Sequence, residues 1–399
     1  MVDTFEVEDK YLAPLFQKFR LSIVRGRGAT VWDQQGKEYI DCMAGYGVAI
    51  AGHCNPWVVE AIKDQADKLI TCHGSFYNDA RASFLEALSK ISPKGLDSFI
   101  LTNSGAESVE AAIKLARKKT ARKKIVSMKG AFHGKTMGAL SATWGKKYRV
   151  SFEPLLENFV FAEYGDTESV ERNVDSDTAA VIVEPIQGES GVIIPPPDFL
   201  PSLREVCDRN GSLLIFDEIQ TGLGRTGKMW ASEHYNVVPD IMTVAKGIAG
   251  GIPAGCVITT KDTSSSLSRG EHTSTFAGNP VACAAGKALI SYIVENNLPE
   301  RASKLGNLVA EHLKKIKGNH FIVRDVRSIG LMMALETRFD VYRILTKALT
   351  NGFIIGYSGR ETIRMLPPLV IEEEKLNQVF NLLDKILSEE ENERFGQNR

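Results

Sequence analysis

The 399-residue chain has almost no excess charge. Its 48 Lys and Arg stand against 49 Asp and Glu, leaving a net charge of −1. That balance excludes a protein that binds nucleic acid through bulk positive charge. No run of about 18 apolar residues occurs, so no membrane span is expected. There is no low-complexity block and no internal repeat. The six cysteines (Cys42, Cys54, Cys72, Cys207, Cys256 and Cys283) are scattered, and none forms a CxxC pair. The usual zinc spacings are therefore absent. His53–Cys54 and Cys72–His73 place possible ligands side by side, but adjacent residues rarely reach one ion, and no metal is expected. Such cysteines read as buried thiols of a reducing compartment, and a cytoplasmic protein is expected. The first ten residues are acidic and lack a basic segment leading into an apolar one, so no secretory signal is expected.

What is present is a globular composition, 43% hydrophobic and 24% charged, with 34 glycines. It is too apolar for a disordered chain. Seven apolar runs read as buried strands: 98–104, 124–130, 158–165, 179–185, 212–218, 241–247 and 254–260. Amphipathic stretches such as 107–119 and 198–209 lie between several of them. Buried strands alternating with helices predict an α/β fold with a mainly parallel sheet covered on both faces. Residues 1–50 are expected to form an N-terminal arm, helical to about residue 20, and the strands of a small domain, two of them around a turn near Gly36. Residues 51–285 would be the large domain, 286–387 a C-terminal α+β small domain, and 388–399 a flexible polar tail.

Ligands of open α/β sheets gather beyond the carboxyl ends of the strands. Asn103-Ser104-Gly105-Ala106-Glu107 ends one strand and opens a helix. It could cradle a phosphate on backbone amides or be an ordinary capped helix start. Asp217 closes the apolar run SLLIF, where a carboxylate must be paired; a protonated ring nitrogen would serve, as would a structural cap. Lys246 follows IMTVA, and a lysine held there without charge can form a Schiff base. A surface lysine lying along its own stem is the alternative. Phe132, in a glycine-flanked turn, could stack on a flat ring or be plain core. Together these are the parts required by pyridoxal phosphate (PLP).

At this point the chain resembles the class III aminotransferases of PLP fold type I, over about residues 20–385. The resemblance rests on EPIQGE (184–189), FDEIQTGLGRTGKMW (216–230), PDIMTVAKGIAGG (239–251) and STFAGNP (274–280). AFHGKTMGALSATWGKKYR (131–149) and RMLPPLVI (364–371) are similar to the acetylornithine aminotransferase branch, and within it to archaeal enzymes whose substrates ride on an amino-group carrier protein. The resemblance implies a large domain with a mainly parallel seven-stranded sheet and a smaller α+β domain. It implies that Lys246 bonds the cofactor and carries the proton, and that Asp217 keeps the ring nitrogen protonated. Gln220 would bond the ring hydroxyl, Ser104, Gly105 and Ala106 the phosphate, and Phe132 the ring face. Glu184 would lie at the cofactor edge. Thr275 would reach the neighbouring subunit's phosphate, so a homodimer with shared sites is implied. Arg364 would take the α-carboxylate of 2-oxoglutarate, with Glu189 masking it when an ω-amine is bound, and Ser274 would touch substrate. One residue departs from the pattern. Lys135 stands where the family usually has an arginine for the substrate carboxylate, keeping the charge but losing the two-pronged fork.

Those implications predict amino-group transfer between glutamate and the terminal aldehyde of a carrier-bound aminoadipate or glutamate semialdehyde, in lysine or arginine biosynthesis. The alternatives are an N-acetylornithine aminotransferase without a carrier, another ω-aminotransferase of the 4-aminobutyrate type, or a binding protein on an inactive scaffold. One further feature bears on partners. The run KLARKKTARKK (114–124) holds seven cations, with Lys114, Lys118 and Arg122 expected to stack along a helix. It reads either as a solvated helix end or, with Arg117, Lys146 and Lys147, as a dock for an acidic carrier protein. No reader motif accompanies it, so nucleic acid is not expected.

Overall fold

The computed structural model describes residues 3–396. Its centre is a seven-stranded sheet in the order β4-β10-β9-β8-β7-β5-β6. The strands are β4 (Ser98–Thr102), β5 (Lys124–Met128), β6 (Phe159–Ala162), β7 (Thr178–Val183), β8 (Leu213–Asp217), β9 (Ile241–Val244) and β10 (Gly255–Thr259). Each falls on one of the seven apolar runs, β7 beginning one residue before its run. β10 pairs antiparallel with both β4 and β9, while the other neighbours are parallel. Six strands therefore point the same way and end at one edge. All six residues of β7 are buried, as they must be in a strand covered on both faces.

Two smaller sheets flank this one. The first joins the two ends of the chain, with β1 (Ile23–Arg27), β2 (Thr30–Asp33) and β3 (Glu38–Asp41) extended by β13 (Phe353–Ile354). The second contains β11 (Val323–Ile329), β12 (Met332–Thr337), β15 (Thr362–Met365) and β14 (Gly356–Ser358), in that order. It carries Arg364 in register with Ala334 on one side and Gly356 on the other.

Three local expectations are corrected. The N-terminal helix covers only Thr4–Tyr11, because Pro14 disfavours a helical residue before it. The basic helix spans Gly105–Thr120 and ends at Ala121 in a left-handed conformation, φ +56°. Arg122 and Lys123 thus leave the helix, Lys124 opens β5, and the stack of Lys114, Lys118 and Arg122 does not form. The polar tail expected from residue 388 is helical through Phe395, within the helix Glu373–Phe395. Its fixed point is Glu390, fully buried and paired with Lys347 at 2.8 Å and Arg394 at 3.1 Å. Residues 397–399 of that expected tail lie outside the described residues.

Candidate active site

The shared strand edge gathers the chemistry. β4 delivers Asn103 and Ser104, β5 the turn leading to Phe132 and His133, β7 Glu184, β8 Asp217, and β9 leads to Lys246. A cavity of about 200 Å³ there is lined by Gly105, Ala106, Phe132, His133, Gly134, Glu184, Glu189, Asp217, Ile219, Gln220 and Lys246. Burial holds the Lys246 amine below the ordinary lysine range, against the opposing pull of Glu189. Its backbone is left-handed, φ +47°, a strained setting for a residue with a side chain. Asp217 is almost fully buried and accepts from the Ile219 amide at 3.1 Å. Its other oxygen lies 2.7 Å from His133 Nδ1. Glu184 accepts from the amides of Phe132 (2.9 Å) and Gly188 (3.0 Å). Burial pushes its carboxyl up to about 7.

At the head of the Gly105–Thr120 helix, Ser104 Oγ caps the Glu107 amide at 3.2 Å, and the Glu107 carboxylate returns to the Asn103 amide at 2.5 Å. The amides of Gly105 and Ala106 precede the first intrahelical bond and border the cavity. They carry the positive end of the helix dipole. A small flat ring bearing an anionic group, an aldehyde and a basic nitrogen finds matching partners in these amides, Lys246, Asp217 and the wall formed by Phe132. The residues present therefore fit PLP.

Beside this cavity, Arg364 Nη1 donates to Glu189 at 2.7 Å and to Gln220 Oε1 at 3.3 Å, while Gln220 Nε2 reaches Glu189 at 3.4 Å. Arg364 is 1% exposed, yet its Nη2 has no partner among the described residues. Burial raises the Glu189 carboxyl, but Arg364 and Lys246 outweigh it and hold the group ionised. A Cβ on Gly188 would overlap Gln220 Oε1, so a larger residue there would displace Gln220 from Arg364 and Glu189. The far side of Arg364 meets Tyr46, its guanidinium 5.3 Å from the ring centre. Tyr46 sits in four consecutive left-handed residues, Ala44 to Gly47. Asp41 holds that turn by accepting from the amides of Met43 and Ala44.

Of the residues expected at the site, Gly105, Ala106, Phe132, Glu184, Glu189, Asp217, Gln220 and Lys246 meet in one cavity, with Arg364 bonded to it. Four others lie outside its lining. Ser104 is the helix cap. Ser274 is exposed and accepts from Asn103 Nδ2 at 2.9 Å. Thr275 is exposed in the adjoining loop. Lys135 is exposed, with its Nζ 5.4 Å from the Tyr148 ring. Tyr148 lines a second cleft of about 450 Å³ that also touches Phe132 and Glu189 and is bordered by Lys147 and Arg360. Gln220 spends its amide on Glu189 and Arg364. His133 and Tyr46 were not singled out from sequence. His133 follows Phe132 directly, and a histidine one residue from a proposed ring contact was a readable signal. Tyr46 gave none, because only the folded turn brings it to Arg364.

The basic run is mostly answered from within the chain. Lys118 pairs with Glu271 at 2.8 Å, Lys119 with Asp262 at 2.8 Å and Lys124 with Asp175 at 2.5 Å. Arg117 donates to the carbonyls of Lys123 and Glu157, and Arg122 to those of Thr178, Asn210 and Gly211. Arg117, Lys118 and Arg122 are therefore committed to the fold. No group of metal-ligating side chains occurs among the described residues, and no helix there is long and apolar enough to cross a membrane.

Comparison with known proteins agrees with this geometry. The chain is 46% identical to the acetylornithine aminotransferase of Methanopyrus kandleri, over 95% of this chain and 97% of that one. It is 43% identical to the LysW-aminoadipate semialdehyde/glutamate semialdehyde transaminase of Sulfolobus acidocaldarius, over 96% and 98%. An ornithine aminotransferase structure from Toxoplasma gondii, described with partial occupancy of PLP at its active site, superposes with a TM-score of 0.94. That match has 32% identity and covers 98% of this chain and 95% of that one. The model of the family "Aminotransferase class-III" matches residues 11–387. The chain belongs to the class-III aminotransferases, PLP-dependent transaminases of fold type I, in the branch of the acetylornithine and LysW-type enzymes.

Proposed function

We propose that the enzyme exchanges an amino group between glutamate/2-oxoglutarate and the terminal carbon of an ornithine- or lysine-type substrate whose α-amino group is blocked. The observation that carries this reading is the Arg364–Glu189 pair beside the cavity of Lys246. One site must accept a dicarboxylate and, in the other half-reaction, a chain whose reacting end bears no carboxylate. An arginine that a neighbouring carboxylate can cover or release meets both needs. The buried, unpartnered Nη2 of Arg364 is a donor already placed for a second carboxylate oxygen.

Bound PLP supplies an electron sink for the pair left when the C–H bond beside the amino group breaks. The protein supplies the rest. Lys246 joins the cofactor and moves the proton, and burial favours its neutral, proton-accepting form. Asp217 keeps a proton on the ring nitrogen, with His133 fixing its orientation. Gly105 and Ala106 receive the phosphate at the helix N-terminus, and Phe132 covers a ring face. Glu184 orders the Phe132 turn, while Ser104 and Ser274, joined through Asn103, shape the mouth. Thr275 of the partner subunit completes the phosphate site in a homodimer.

The blocked α-end extends past Lys135 into the cleft of Lys147, Tyr148 and Arg360. Lys147 and Arg360 carry no carboxylate partner among the described residues, which favours an acidic carrier protein as the blocking group. Lys146 and Lys147, rather than the committed cations of the 114–124 run, would meet it. N-acetylornithine is the second reading, supported by the similarity to acetylornithine aminotransferases. The test is single-turnover amino transfer from carrier-bound lysine, carrier-bound ornithine, N-acetylornithine and free ornithine. A strong preference for the carrier-bound pair is expected. Equal reaction of free ornithine would overturn the requirement for a blocked α-amine.

A further inference from the structure

Arg225 is fully buried and has no carboxylate partner among the described residues. Burial pushes its guanidinium down to about 9. A charge kept inside without a counter-charge is costly and needs a reason. Its Nη1 donates to two carbonyls, Leu331 at 2.9 Å and Pro367 at 2.6 Å. The Leu331 amide returns to the Arg225 carbonyl at 3.0 Å. Pro367 lies three residues beyond Arg364 and is followed by Pro368. Neither proline has an N–H; the flanking amides tie the stretch, Leu366 to the Cys42 carbonyl at 2.7 Å and Leu369 to the Ile50 carbonyl at 2.8 Å, and between them the Pro367 carbonyl is held by Arg225.

The loop carrying Arg225 also begins beside Arg364. Gln220 touches Glu189 and Arg364. Two residues earlier, Glu218 closes the base of the loop. It accepts from the amides of Ala231 (3.1 Å) and Ser232 (2.8 Å) and from the Thr221 hydroxyl. The loop is tightly seated at its tip as well, because a Cβ on Gly330 would overlap the Arg225–Thr226 backbone. One short, stapled segment thus holds the Arg364 side chain at one point and the backbone beyond Arg364 at another.

We propose that Arg225 is a positioning residue for the dicarboxylate substrate: it pins Pro367 to the large domain and so keeps the Arg364 guanidinium in register with Gln220 and Glu189. The inference rests on the reading of Arg364 as the partner of the dicarboxylate. Native holoenzyme and the variants Arg225→Lys, Arg225→Gln and Arg364→Ala would be titrated calorimetrically with glutarate, an unreactive dicarboxylate. The single-turnover rate with saturating N-acetylornithine would be measured alongside. Arg225→Gln is expected to raise the glutarate Kd about tenfold, a difference of ~1.4 kcal/mol, and Arg225→Lys to recover part of that. The amine half-reaction should stay within about twofold, a spread of less than ~0.5 kcal/mol. An unchanged glutarate Kd, or a parallel fall in both measurements, would overturn the proposal. If Arg225→Gln does not fold, Arg225→Lys and Gly330→Ala, which displaces the same contact from its other side, decide by the same criteria. Arg364→Ala separates the two levels: should it bind glutarate like the native enzyme, the reading of Arg364 itself fails.

Discussion

The two ends of the helix Gly105–Thr120 obey opposite rules. At its head, small residues leave two amides with no acceptor among the described residues, beside a cavity whose amine and carboxyl are shifted by burial. At its tail, a dense run of cations is answered by Glu271, Asp262, Asp175 and a set of backbone carbonyls. The tail is the more conspicuous in sequence and the less eventful in structure. Charge that finds partners within the chain holds the fold. Donors and ionisable groups left short of partners mark where a ligand belongs.

The sharpest way to break this contrast is at the cavity. Lys246→Ala should lower kcat/KM by at least about 10³-fold, roughly 4 kcal/mol, with loss of the visible cofactor band in absorption spectra. A second test uses pH. Glu184 rises from 4.5 to about 7 on folding. A raised acid contributes stability that is complete below its unfolded value and lost as pH climbs through the folded one. The apoenzyme should therefore lose stability against thermal unfolding between about pH 5 and pH 8, by up to ~3 kcal/mol from this group. Glu184→Gln should flatten that slope in calorimetric scans. Third, Ala106→Pro deletes one free amide in the first helical turn, where proline is tolerated. PLP affinity, followed by fluorescence, should fall about 10- to 100-fold, the worth of one hydrogen bond to a charged group. The smallest effect belongs to the other end. Lys118→Ala with Lys119→Ala should cost less than about 1 kcal/mol in denaturant unfolding and leave turnover of N-acetylornithine unchanged, since exposed pairs contribute little.

Much of this was readable from the chain. The seven apolar runs mark the seven strands of the central sheet, because a strand buried on both faces has little choice but to be apolar. The residues following those runs are the ones the cavity collects, because a parallel sheet brings like ends of its strands to one edge. What escaped reading depends on distance along the chain. His133 meets Asp217 across 84 residues, and Arg225 grips Pro367 across 142. The left-handed turn at Tyr46 depends on the Asp41 carboxylate and leaves no pattern of hydrophobicity. The basic run misled for a local reason: one left-handed residue, Ala121, turned Arg122 away from its helical neighbours and onto the carbonyls of Thr178, Asn210 and Gly211.

In the proposed reading, the Glu189–Arg364 bond sets an affinity. Glu189 behaves as a tethered inhibitor, present at a fixed effective concentration and competing with every incoming dicarboxylate for one guanidinium. The apparent affinity for 2-oxoglutarate is then its intrinsic affinity multiplied by the fraction of molecules in which Glu189 has let go. Discrimination between the two partners of the exchange thus becomes a population ratio within a single binding site, adjustable by any residue that changes how often the carboxylate swings aside.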